Sequence, residues 1–70
     1  MTAANSLKAW RQANGATQRD VAALAGLSVT MVSRVEAGTR QLSPKGKIRL
    51  ARALGVPLGE LFPPAIEAAA

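Results

Sequence analysis

The chain has 70 residues with nine Lys/Arg, four Asp/Glu, no His and no Cys, for a formal net charge of +5. That length supports one domain, near the lower limit for a chain without staples, whose core should supply no more than about 3–5 kcal/mol. Without His or Cys there is no disulfide, thiol nucleophile, imidazole base or ordinary zinc set, and the four carboxylates offer no pair for acid–base work, so neither an enzyme nor a metal or cofactor is expected.

Five short helices account for most of the chain, and no stretch alternates with a period of two for long enough to make a strand. The first is expected from Asn5 to Ala13, with Leu7, Trp10 and Asn14 on one side and Asn14-Gly15 ending it. The second should run from Gln18 to Ala25, capped by Thr17 with Asp20 as its capping-box partner and closed by Gly26. Ser28 is a good cap for a third helix, Val29 to Ala37, that stops at Gly38. Thr39-Arg40-Gln41 leads to Ser43-Pro44, a cap followed by proline at the first helical position, and a fourth helix to Leu54 with Leu50, Ala51 and Leu54 inward. A last turn or two, Pro57 to Phe62, should bring Leu58, Leu61 and Phe62 to the core before Pro63-Pro64. The expected division is a domain over residues 1–62 and a short tail over 63–70. No apolar run approaches the roughly 20 residues of a membrane span, and the N-terminus lacks a basic-then-apolar leader, so a soluble cytoplasmic protein is expected.

The second and third helices are the informative pair. Val21 and Leu24/Ala25 fall on one face of the first of them, Val32 and Val35 on one face of the second, and Leu27 lies in the turn. Ala22 carries only a methyl group where two steeply crossed helices must come close. Such a helix-turn-helix packs on itself and leaves the outer face of its second helix free for a DNA major groove. Charge agrees with this: all nine Lys/Arg residues lie between Lys8 and Arg52, where Asp20 and Glu36 are the only acids, and such a surplus attracts polyanions.

Four stretches carry a family resemblance over residues 5–62. They are Arg11 with Asn14-Gly15-Ala16-Thr17-Gln18; Val21-Ala22 with Ala25-Gly26-Leu27-Ser28; Val32-Ser33-Arg34-Val35-Glu36-Ala37-Gly38; and the run from Leu50 to Phe62. In this order and spacing the chain resembles the Cro and phage-repressor type of helix-turn-helix domain, the Xre family of bacterial and phage regulators. The resemblance implies an all-α, five-helix lambda-repressor-like bundle whose third helix reads double-stranded DNA, usually as a homodimer on a two-fold-related operator. One departure stands out: Gly46 and Lys47 occupy the first turn of helix 4, where the family usually has apolar residues, as if that turn served the ligand.

By the same resemblance, Val29, Thr30, Ser33 and Arg34 are the base-reading positions. A guanidinium at Arg34 can donate twice to guanine O6 and N7, and Val29 suits a thymine methyl. Met31 is left between a rim contact and a backbone-facing role. Thr17 and Gln18, at the start of helix 2, are expected to meet a phosphate where free N–H groups point outward. Arg40, Lys45 and Lys47 belong to the second region that the family presses against the DNA backbone. Arg11 and Glu36 match positions that form an internal ion pair, so a structural role is expected for both. Lys8, Arg19, Arg49 and Arg52 read as general surface charge, and Trp10, the only Trp, as core or core edge rather than a stacking platform.

The leading expectation is therefore a sequence-specific transcriptional regulator, a repressor or a polymerase-contacting activator, pairing through Leu58 to Ile66. The competing expectation is a helix-turn-helix module that binds a protein, such as a toxin or RNA polymerase.

Overall fold

The computed structural model describes residues 5–63. Its elements are α1 (Leu7–Ala13), α2 (Gln18–Ala25), α3 (Val29–Ala37), α4 (Pro44–Leu54) and α5 (Leu58–Leu61), and helices are the only regular elements among the described residues. No helix there is long and apolar enough to cross a membrane.

Local chemistry explains where each helix starts and stops. At α2, Thr17 Oγ1 accepts from the Asp20 N–H at 3.0 Å while Asp20 Oδ2 accepts from the Thr17 N–H at 2.9 Å, a reciprocal capping box. Those bonds hold the Asp20 carboxyl below its ordinary range, chiefly through the Thr17 backbone N–H. Ser28 caps α3 through the Met31 N–H and Ser43 caps α4 through the Gly46 N–H, with Pro44 directly behind it. Gly26 ends α2 at φ +69° and Gly38 ends α3 at φ +80°. Both are left-handed conformations that cost a side-chain-bearing residue about 1–2 kcal/mol.

α1 begins two residues later than expected. Asn5 and Ser6 bend away from the helix into other bonds: Asn5 Oδ1 accepts from the Leu7 N–H, its Nδ2 donates to the Val35 carbonyl at 2.8 Å, and the Ser6 N–H donates to the Leu61 carbonyl at 2.7 Å. These two residues therefore tie the start of α1 to α3 and to the end of α5.

α2 is the central strut, packing on α3 and on α4, while α5 closes against α4 and α1 against α3. Leu7, Val21, Ala22, Ala25, Val32, Val35, Leu50, Ala51 and Leu61 are buried together, with Trp10, Leu27, Met31, Leu42, Leu54 and Phe62 packed around them. Trp10 is half-buried at the edge of this core. Two expected core leucines are elsewhere. Leu24 is 61% exposed and Leu58 41% exposed. The neighbours of α2 meet it along Val21, Ala22 and Ala25, and Leu24 lies about 100° round the helix from Ala25, past the edge of that stripe. α5 is one turn long, and although Leu58 and Leu61 share its face, only Leu61 at its end is covered by the core while Leu58 at its start stays exposed.

The buried methyl of Ala22 beside the exposed one of Ala23 gives a matched test. Ala22→Leu should cost about 1–3 kcal/mol by overpacking, read as a lower urea midpoint, whereas Ala23→Leu should leave the midpoint nearly unchanged. Equal effects would mean that the close approach at Ala22 does not constrain the fold.

Candidate nucleic-acid interface

α3 is amphipathic in a way that divides its labour. Val32 and Val35 are buried in the core and hold the helix down; Val29, Thr30, Ser33 and Arg34 are exposed on the other side, Val29 at 41%. Because i, i+1, i+4 and i+5 share one helical face, these four form a continuous outer strip. Met31 is half-buried at its edge and lines, with Ser28, Thr30, Arg34 and Arg40, a shallow depression of about 90 Å³.

Arg40 reaches that depression because of how α3 ends. The left-handed turn at Gly38 folds the chain back so that the Thr39 N–H and Oγ1 and the Arg40 N–H all donate to the Arg34 carbonyl, at 3.0, 3.2 and 3.3 Å. The guanidinium-bearing residues at 34 and 40 thereby stand beside the same recess.

On the other flank of α3 lies a polar cleft of about 240 Å³ lined by Lys8, Arg11, Gln18, Ser33, Glu36 and Ala37. Its floor is a forked ion pair: Arg11 Nε donates to Glu36 Oε2 at 2.6 Å and Nη2 to Oε1 at 3.1 Å, with Nη1 bonded to the Ala16 carbonyl. Gln18 Nε2 also donates to Glu36 Oε1, at 3.1 Å. The Glu36 side chain is only 3% exposed, so it is held inside and away from the outer strip. Burial pushes its carboxyl up. Hydrogen bonds from Arg11 and Gln18, with the charges of Arg11 and Lys8, outweigh that and hold it below the ordinary glutamate range. The Arg11 guanidinium is raised in turn, first by its hydrogen bond to Glu36.

The residues expected at the DNA backbone are not all equally placed. Thr17 is exposed at the start of α2, its backbone N–H and hydroxyl oxygen engaged by Asp20. Gln18, half-buried, gives one amide hydrogen to Glu36 and keeps a second donor and its oxygen. Lys45 is exposed in the first turn of α4, where it lines a groove with Ile48, Arg49 and Arg52. Lys47 is half-buried, its Nζ 5.3 Å from the centre of the Phe62 ring. An ammonium over an aromatic face is attracted to it, which explains how a lysine substitutes for an apolar residue in the first turn of α4. Gly46 beside it packs against Leu42, whose Cβ would stand 3.3 Å from an added methyl. That turn serves the core as well as the surface. The Gln18–Glu36 bond and the Asn5 strap leave no sign in the sequence, since both depend on which helices meet.

Two capped helices crossed at a left-handed glycine, with an exposed strip on the second, define a helix-turn-helix DNA-binding bundle of the lambda-repressor-like kind. The sequence model of the helix-turn-helix family matches residues 7–61, and the chain belongs to this family of Cro/Xre-type domains. No curated protein and no solved structure gives a significant match. The family is one of DNA-binding domains used in transcription regulation, not a family of enzymes.

The ion pair carries two expected outcomes. Glu36→Ala strands the Arg11 guanidinium in the cleft and should cost about 3–5 kcal/mol, measured by denaturant unfolding; a loss below about 1 kcal/mol would make the pair incidental. Since the folded carboxyl titrates below its unfolded counterpart, its contribution is full above the ordinary glutamate range and lost as pH falls through the folded value. Wild-type stability should therefore fall on acidification below about pH 4.3, and Glu36→Gln should flatten that fall. An unchanged acid limb in Glu36→Gln would assign the acid sensitivity to other carboxylates.

Proposed function

We propose that the chain is a sequence-specific regulator of transcription, a repressor that binds a palindromic operator in double-stranded DNA as a homodimer in the cytoplasm. The observation that carries this reading is the outer strip of α3: Val29, Thr30, Ser33 and Arg34 are all exposed beside Arg40, while the acid of the same helix, Glu36, is buried in its ion pair. The strip thus offers a methyl-bearing end, two hydroxyls and a guanidinium to base edges, with no exposed carboxylate on the helix to repel phosphates.

In the proposed complex Arg34 donates to a guanine and Val29 and Thr30 meet thymine methyls. Thr17 and Gln18 bind one phosphate run and Arg40 and Lys45 another, so the reading helix is anchored on both sides. Gln18 contributes its remaining amide hydrogen while Glu36 fixes the other. Lys47, in the first turn of α4 with Lys45, joins the second run from its place over Phe62. A domain of this size covers few base pairs, so two copies on half-sites about 34 Å apart are required for selectivity. The exposed Leu58 belongs to the proposed pairing surface; the part of that surface beyond residue 63 lies outside the described residues. Bound across a promoter, such a dimer excludes polymerase.

Selection of bound duplexes from a random pool tests this. A two-fold-symmetric site should emerge, and Arg34→Ala should lose preference at one base pair per half-site, worth about 1–3 kcal/mol. Lys45→Ala should instead weaken all duplexes alike and reduce the log–log salt slope by about 0.9 per subunit. Failure to bind any duplex in a salt-dependent way would favour a protein-binding module; uniform weakening by Arg34→Ala would reassign that residue to the backbone.

A further inference from the structure

Beyond Lys45, the outer face of α4 takes no part in the proposed DNA contact. Lys45, Arg49 and Arg52 follow one another at helical spacing along about 10 Å of axis, with Ile48 between them at 46% exposed. Together with Ala53 they line an open groove of about 440 Å³. The opposite side of α4, Leu50 and Ala51, packs into the core, where the helix meets α2 and α5. α2 in turn carries α3, so the groove lies on the side of α4 turned away from α2. Among the described residues the one ion pair is Arg11–Glu36, Asp20 is engaged by Thr17, and Glu60, exposed on α5, pairs with none of the three cations of α4.

The geometry points to this groove as a docking surface for an acidic protein segment that carries an apolar side chain. Charge complementarity selects the acidic character: carboxylates of the segment pair with Arg49 and Arg52, and with Lys45 where DNA leaves it free. Ile48 selects the apolar anchor, because an exposed aliphatic side chain set among three cations gains by being covered, and a phosphate backbone has nothing apolar to cover it with. The groove is wide enough to seat one large aliphatic side chain between Ile48 and Ala53. A regulator bound to DNA through α3 and Lys45 would thus keep Ile48, Arg49 and Arg52 free for an acidic protein partner.

The test uses the full chain and two short synthetic peptides, one of Glu and Leu in amphipathic helical order and one with every Leu replaced by Gln, so that charge is equal. Backbone amide shifts on titration should concentrate at residues 45–53, and the Leu peptide should bind about tenfold more tightly. Ile48→Ser should remove that preference, and Arg49→Glu with Arg52→Glu should abolish binding of both, with the thermal midpoint retained. Equal affinity for the two peptides, or shifts centred on α3, would overturn the proposal as charge attraction alone. A change of oligomeric state in Ile48→Ser would show that a second copy covers the face instead. A fall of about two in the DNA salt slope on replacing Arg49 and Arg52 with Ala would assign it to nucleic acid. None of these outcomes depends on Arg34 reading bases, so the two proposals fail separately.

Discussion

Glu36 is buried on α3 and satisfied from two directions, by the forked guanidinium of Arg11 on α1 and by the amide of Gln18 at the start of α2. The domain is too small to spend a buried charge without return, because an unpaired carboxylate would cost a large share of its stability. Paired in this way, it fixes three helices relative to one another at the edge of the proposed DNA surface. Helix 1 is thereby held across the end of the helix-turn-helix, Gln18 is held at the mouth of the polar cleft, and the outer strip of α3 is held at one angle. The apolar core supplies most of the cohesion, but Val32 and Val35 specify only which side of α3 is inside; the network adds a directional constraint.

A second consequence concerns how function and stability share so few residues. The inner face of α3 is core and its outer face is surface, with the left-handed stops at Gly26 and Gly38 bounding the helix on both sides. Gly38 does more than stop it: by turning Thr39 and Arg40 back onto the Arg34 carbonyl it joins the loop to the reading strip. α4 is divided in the same manner, with Leu50 and Ala51 inward and Ile48, Arg49 and Arg52 outward. Two amphipathic helices thus leave two unlike surfaces, one polar with a single guanidinium series and one cationic around an exposed isoleucine.

Much of the fold was legible because its punctuation is chemical. Thr17 with Asp20, Ser28, and Ser43 with Pro44 open helices; Gly26, Gly38 and Gly55 close them, and all of these work locally through backbone groups a few residues away. Contacts between distant segments were harder. The local pattern extends α1 back to Asn5, yet Asn5 bridges to Val35 thirty residues on, a bond no local pattern encodes. Helical spacing puts Leu24 with Val21 and Leu58 with Leu61, but burial also needs a neighbour on that side, and none covers either leucine. For the site, the exposed and buried faces of α3 follow from helical periodicity alone. The use of Lys47 against Phe62 does not, because it requires knowing where α5 lands on α4.

Reading of DNA by this chain requires the outer strip of α3 to lie in the major groove. The most direct measurement is intermolecular nuclear Overhauser contact between this chain and a selected operator duplex. Methyl protons of Val29 and Thr30 should contact base protons and thymine methyls on the major-groove edge. Contacts to those protons arising solely from α4 or α5, with the methyls of α3 silent, would contradict it.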